Sequence, residues 1–153
     1  MTSRVVTALF ALLAVVPALR AQSASDTTGI RGAALDYAEG WYTGDGDRMA
    51  RAVHPELVKR ILVTDTATGR AFVQTMGASA LVNGARHGYG KTTPVERQLK
   101  DVRILDVFGN AAVAKVVMAD WIDYLQLVKA DGRWQIVNVL WERKPDQIGR
   151  AHV

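Results

Sequence analysis

Residues 119–145, ADWIDYLQLVKADGRWQIVNVLWERKP, limit the possible folds more than any other part of the chain. Aromatic and β-branched residues crowd both halves, and Asp131-Gly132 divides them with a pair that accepts the positive φ of a tight hairpin turn. This predicts two long antiparallel strands. A second turn signal, Gly109-Asn110, lies upstream, so residues 98–108, 111–129 and 133–143 read as three successive strands of a meander. The middle segment has nineteen residues. At about 3.3 Å per residue it would extend roughly 60 Å, whereas a compact domain of this size is about 35 Å across. It is therefore expected to bend or bulge near residues 119–121, curling the sheet around whatever lies on its concave side.

The N-terminus has a different character. Arg4 precedes residues 5–16, an apolar run interrupted only by Thr7, and the small residue Ala21 comes before polar Gln22. This is the pattern of a secretory signal peptide over residues 1–21, and it predicts an exported protein, periplasmic or secreted. A membrane span needs about 20 apolar residues, which the run does not reach. No span is expected after cleavage. Removing Arg4 and Arg20 leaves seventeen basic residues against fifteen acidic ones, so the net charge falls from +4 to +2. No cluster of Lys and Arg remains that would suit a nucleic-acid partner. The chain has no cysteine, which excludes disulfides, thiol catalysis and thiolate metal sites.

In the remaining chain, residues 22–29 are small and polar and read as a flexible leader. Ile30, Ala34, Tyr37 and Trp41 recur at the spacing of one helical face, and Gly44 supplies a left-handed stop. Asp45 or Asp47 can cap a second short helix carrying Met49, Ala52 and Val53, which Pro55 stops. Residues 57–65 and 70–76 flank Thr66-Ala67-Thr68-Gly69 and predict a hairpin; residues 78–86 again have helical spacing, followed by a glycine-rich loop at 87–94. A single domain over residues 30–145 results, with residues 146–153 as a tail.

Two or three helices, a hairpin, another helix and a curled meander match the cone of the nuclear transport factor 2-like superfamily, which includes ketosteroid isomerase. The segments YAEGWYTGDGDRMARAVHPELVKR (37–60), ILDVFGNAAVAKVVMADWIDYLQL (104–127) and GRWQIVNVLWERKP (132–145) resemble its putative lumazine-binding family. The resemblance covers nearly all of the chain after the signal. It implies an α+β fold, N-terminal helices packed on a strongly curved antiparallel sheet. It transfers no catalytic residue.

Candidate site residues follow from patterning. Simple alternation puts Met118, Asp120, Ile122 and Tyr124 on one face of the long strand and Ala119, Trp121, Asp123 and Leu125 on the other. Each face thus carries one carboxylate in an apolar stretch, where it must be paired, hydrogen-bonded or raised in pKa. Asp120 or Asp123 is a general base or ligand anchor, or else a partner for Arg97, Arg143 or a bulge backbone. Tyr124 and His54 complete the catalytic candidates, the histidine equally able to cap the helix ending before Pro55. Asn138, interrupting Ile136-Val137-Asn138-Val139-Leu140, reads a ligand carbonyl or satisfies a bulge. Tyr37, Trp41, Trp121 and Trp141 can wall a flat ligand or simply fill the core. His54, His87 and His152 have no metal-ligand spacing, and neither a metal nor a cofactor is expected.

The leading expectation is a noncatalytic domain holding a small apolar or aromatic ligand in its cone. The alternatives are a cofactor-independent isomerase or dehydratase working through an acid–base carboxylate, and an interaction module whose pocket is filled. A homodimer through the outer sheet face is also expected. The last strands are apolar on both sides, as Val113, Val117, Val137 and Val139 illustrate, and one core covers only one side.

Overall fold

The computed structural model describes residues 23–145. The element order is α1 (Ala24–Thr43), α2 (Gly46–Ala52), β1 (Val53–Thr64), β2 (Ala71–Gly77), α3 (Ala78–Arg86), β3 (Asp101–Phe108), β4 (Ala111–Val117), β5 (Trp121–Ala130) and β6 (Arg133–Arg143), with two 3-10 turns between α3 and β3. The strands form one sheet in the order β2-β1-β6-β5-β4-β3. Every pairing is antiparallel except β1 with β6. The segment expected to be a signal peptide and the whole of the expected C-terminal tail lie outside the described residues. Among those described, no helix is long and apolar enough to cross a membrane.

Local chemistry accounts for the helix ends. Ser23 accepts the Asp26 amide through its side chain and starts α1, and Gly44 at φ 72° ends it. The helix therefore begins well before Ile30, and residues 24–29 are helical where a flexible leader was expected. Asp26 explains the difference: its carboxylate accepts from Lys129 Nζ at 2.7 Å and Trp134 Nε1 at 3.0 Å, docking this first turn on the sheet. Asp45 caps α2 by accepting the Arg48 amide at 2.8 Å. The chain is already in β1 at Val53, so Pro55 sits within a strand. It occupies the irregularity between Val53 and Val58 in the pairing with β6, where a missing N–H breaks no ladder bond.

The meander has four strands where three were expected. Ala111 pairs with Val128 and Val117 with Ile122, so the nineteen-residue segment turns back fully at residues 118–120 and forms a hairpin. A full turn at the expected place, rather than a bend or bulge, accommodates the length of the segment. Met118, Ala119 and Asp120 carry no glycine or proline signal, and the turn is held by tertiary contacts. Tyr42 Oη accepts the Ala119 amide at 2.8 Å and donates to the Leu99 carbonyl at 3.0 Å, while Lys144 Nζ donates to the Met118 carbonyl at 2.6 Å. Further irregularities at Leu105 in β3 and Val137 in β6 break strict alternation along those strands and bend the sheet.

The core lies between the concave face and α1. Ile30, Ala34, Tyr37 and Ala38 are buried against Ala112, Ala114 and Val116 of β4, Leu125 and Leu127 of β5, and Ile136 and Val139 of β6. Val139 is thus core, whereas Val113, Val117 and Val137 are only half-buried. The outer face retains exposed apolar side chains, among them Leu62, Val73, Tyr124 and Leu140.

Candidate functional site

At one end of the core the aromatic stripe of α1 meets the concave sheet around a cavity of about 210 Å³. Tyr37 and Trp41 come from α1, Lys59 from β1, Met76 from β2 and Leu81 from α3. Met118 and Trp121 flank the β4–β5 turn, and Trp141 and Arg143 belong to β6. Trp121 is central to the wall, edge-to-face with Trp41 at 6.2 Å and with Trp141 at 6.0 Å between ring centroids. Its indole N–H donates to Met118 Sδ at 3.2 Å, fixing both walls of that corner. A larger depression of about 860 Å³ beside β1, α2 and α3 is more open to solvent and has no aromatic wall. The smaller cavity is the one with the features of a ligand site.

One charged cluster borders it. Lys59 Nζ lies 2.6 Å from Asp123 Oδ1, with side chains 9% and 0% exposed. Tyr37 Oη donates to the same oxygen at 3.2 Å and accepts from Lys59. The ammonium also lies 5.2 Å from the centre of the Tyr37 ring and 4.8 Å from that of Trp141. Burial holds Lys59 below the usual lysine range, and the adjacent Asp123 charge offsets this only in part. Burial, then the Asp123 charge, push the Tyr37 phenol well above its ordinary value. Among the described residues, Asp123 Oδ2 and Trp41 Nε1 are buried polar atoms with no hydrogen-bond partner.

The structure brings Tyr37, Trp41, Trp121 and Trp141 together at the cavity. It places the other sequence candidates elsewhere. Asp123 is on the inner face but stands behind Lys59 and Tyr37 and does not line the cavity. Asp120 lies in the β4–β5 turn and accepts from Arg97 Nη2 at 3.1 Å. Tyr124 is on the outer face, 43% exposed, with the Lys115 ammonium over its ring. His54 Nδ1 accepts the Glu56 amide at 3.1 Å within β1.

Asn138 also projects from the outer face. It pairs with Arg60 of β1 and donates to Gln126 Oε1 of β5 at 3.0 Å, because the alternation counted back from inward Trp141 turns residue 138 outward. The buried charged group on the cavity side is Lys59, which the sequence reading missed. Its signal was a lysine in the middle of the inward row Leu57-x-Lys59-x-Ile61.

The model of the putative lumazine-binding family matches residues 25–142. Solved structures share the fold. An NTF2-like protein of unknown function from Shewanella baltica OS155 superposes with a TM-score of 0.62 at 19% identity, covering 78% of this chain and 94% of that one. A second, from Methylobacillus flagellatus KT, has a TM-score of 0.58 at 22% identity over 80% and 94% of the two chains. An NTF2-like protein with a cystatin-like fold from Novosphingobium aromaticivorans gives 0.57 at 12% identity over 78% and 82%. No curated protein matches the chain.

Proposed function

We propose that this chain, which belongs to the putative lumazine-binding family of NTF2-like domains, holds one small aromatic ligand in the cavity at the end of its cone, without a cofactor, as an exported protein. The observation that carries this reading is a buried cation, Lys59, on the wall of a cavity that is aromatic and apolar apart from it and the exposed Arg143. Burying a charge is costly, and a domain that needed only a core would fill the position with an apolar side chain. The size supports a single ring, since a cavity of about 150 Å³ admits one benzene. The three indoles offer faces and edges for stacking, and an acceptor on the ligand can reach the Lys59 ammonium. Export rests on the N-terminal sequence alone. The apolar outer face supports a homodimer.

The acid–base alternative has one observation in its favour: Tyr37 and Lys59 both border the cavity and share Asp123. In that reading Asp123 acts through those two groups, because it does not line the cavity itself. Native mass spectrometry of protein purified from its own host tests the binding reading. A retained small molecule that is lost in Trp121→Ala or Trp141→Ala is expected. Absence of any retained molecule, together with no change in tryptophan fluorescence on titration with benzyl alcohol, phenol and benzaldehyde, would exclude it.

A further inference from the structure

We infer that Lys59 forms a reversible imine with a small aromatic aldehyde held in the cavity. The inference rests on the ligand-binding reading above and names the chemical class of ligand. Three features of the cluster lead to it. The amine borders the cavity, yet its side chain is almost wholly buried between the Tyr37 and Trp141 rings. Its charge is already matched by Asp123 at 2.6 Å, so it is a poor site for an anionic ligand, which would meet the Asp123 carboxylate directly behind the ammonium. And a carboxylate that can take a proton and a phenol that carries one both accept hydrogen bonds from the nitrogen, the two kinds of group that addition to a carbonyl requires. Burial adds to this by favouring the neutral amine, the form that attacks.

The step balances without any further reactant. The Lys59 ammonium passes one proton to Asp123 Oδ1, and the free amine attacks the carbonyl carbon. A C–N bond forms as the carbonyl π bond opens to an alkoxide, which takes its proton from the Tyr37 hydroxyl. The second amine proton then returns to the tyrosinate, and the carbinolamine oxygen leaves as water with the proton that Asp123 holds. Ammonium and aldehyde become protonated imine and water. The product is a cation again, paired with the ionised Asp123 and flanked by the same two rings. An aldehyde suits the site better than a ketone because its carbonyl carbon bears a single substituent, and two rings flank the nitrogen.

The test uses the full chain, benzaldehyde and cyanoborohydride near neutral pH, with the reduced adducts located by peptide mass mapping. The chain has six lysines, and the other five are internal controls. A ring held in the cavity places its carbonyl beside Lys59, and no other lysine lines that cavity, so Lys59 should be labelled at least about tenfold faster than any other lysine. Benzyl alcohol, which lacks the carbonyl but has the same ring, should protect it. Lys59→Arg, which keeps the charge and removes the nucleophile, should lose that adduct alone. Equal labelling of all six lysines, or fast labelling of Lys59 that benzyl alcohol leaves unchanged, overturns the inference. If both molecules alter the tryptophan fluorescence but no Lys59 adduct is trapped, the imine fails and the binding reading stands. If neither molecule binds, both fail.

Discussion

Replacing Lys59 by Met is the most demanding test of the buried cluster. The lysine side chain is 9% exposed and that of Asp123 is 0% exposed, so solvent screens the pair very little. Without the ammonium, the carboxylate keeps one partner, the Tyr37 hydroxyl at 3.2 Å, while Oδ2 already has none among the described residues. Stranding one member of a buried ion pair costs about 3–5 kcal/mol. Domains have about 5–15 kcal/mol of stability in total, so the loss is a large share of it. At roughly 3–4 °C per kcal/mol for a chain of this length, the midpoint should fall by about 10–20 °C. Since the cost is that of a stranded charge, Asp123→Asn added to Lys59→Met should recover at least about half of it, as removing both members of such a pair is often close to neutral. Urea denaturation followed by far-ultraviolet circular dichroism measures all three differences. A loss below about 1 kcal/mol for Lys59→Met, the level of an exposed ion pair, would refute the reasoning. So would a double variant no more stable than the single one.

Gly90 lies where an added Cβ would come 2.2 Å from the Trp41 carbonyl oxygen and 2.5 Å from Cδ1 of its ring. Gly90→Ala should therefore cost at least the upper part of the usual 1–3 kcal/mol for overpacking, about 3 kcal/mol, and shift the tryptophan emission; an unchanged melting midpoint would contradict this packing. Hydrogen bonds from Lys129, then Ser23 and Trp134, lower Asp26 from 3.8 to about 2. The folded state favours its ionised form, so its contribution is present above pH 3.8 and disappears as pH falls to about 2. The stability gap between wild type and Asp26→Asn should close over that window, as acid-unfolding curves of the two would show. On the outer face, Leu140 is 55% exposed between Arg60 and Tyr124. Light scattering at micromolar concentration should give a dimer mass that Leu140→Glu reduces to a monomer, and a monomeric wild type would count against the outer-face dimer.

Much of the fold is legible in local chemistry. The stripe Ile30, Ala34, Tyr37, Trp41 with Gly44 behind it predicts α1, and Gly109-Asn110 and Asp131-Gly132 mark two of the sheet's turns, because spacing and positive φ are properties of neighbouring residues. The aromatic character of the cavity is legible for the same reason: Tyr37 and Trp41 share a helical face, and Trp121 and Trp141 lie on strands whose alternation can be counted. Other features depend on residues far apart in the chain. The turn at 118–120 has no glycine, proline or asparagine to announce it. A Met118 N–H to Trp121 carbonyl bond closes it, and distant groups hold it: Tyr42, 77 residues away, accepts the Ala119 amide, and Lys144 donates to the Met118 carbonyl. The parallel pairing of β1 with β6 places Lys59 opposite Val139, and with β5 on the other side of β6 brings it within reach of Asp123, 64 residues distant. That juxtaposition turned a lysine unremarked among apolar neighbours into the polar centre of the site, while the strand register turned Asn138 outward. Sequence determines which side chains can face inward; only the closing of the sheet decides which of them meet, because burial and charge pairing are properties of the assembled core rather than of any segment.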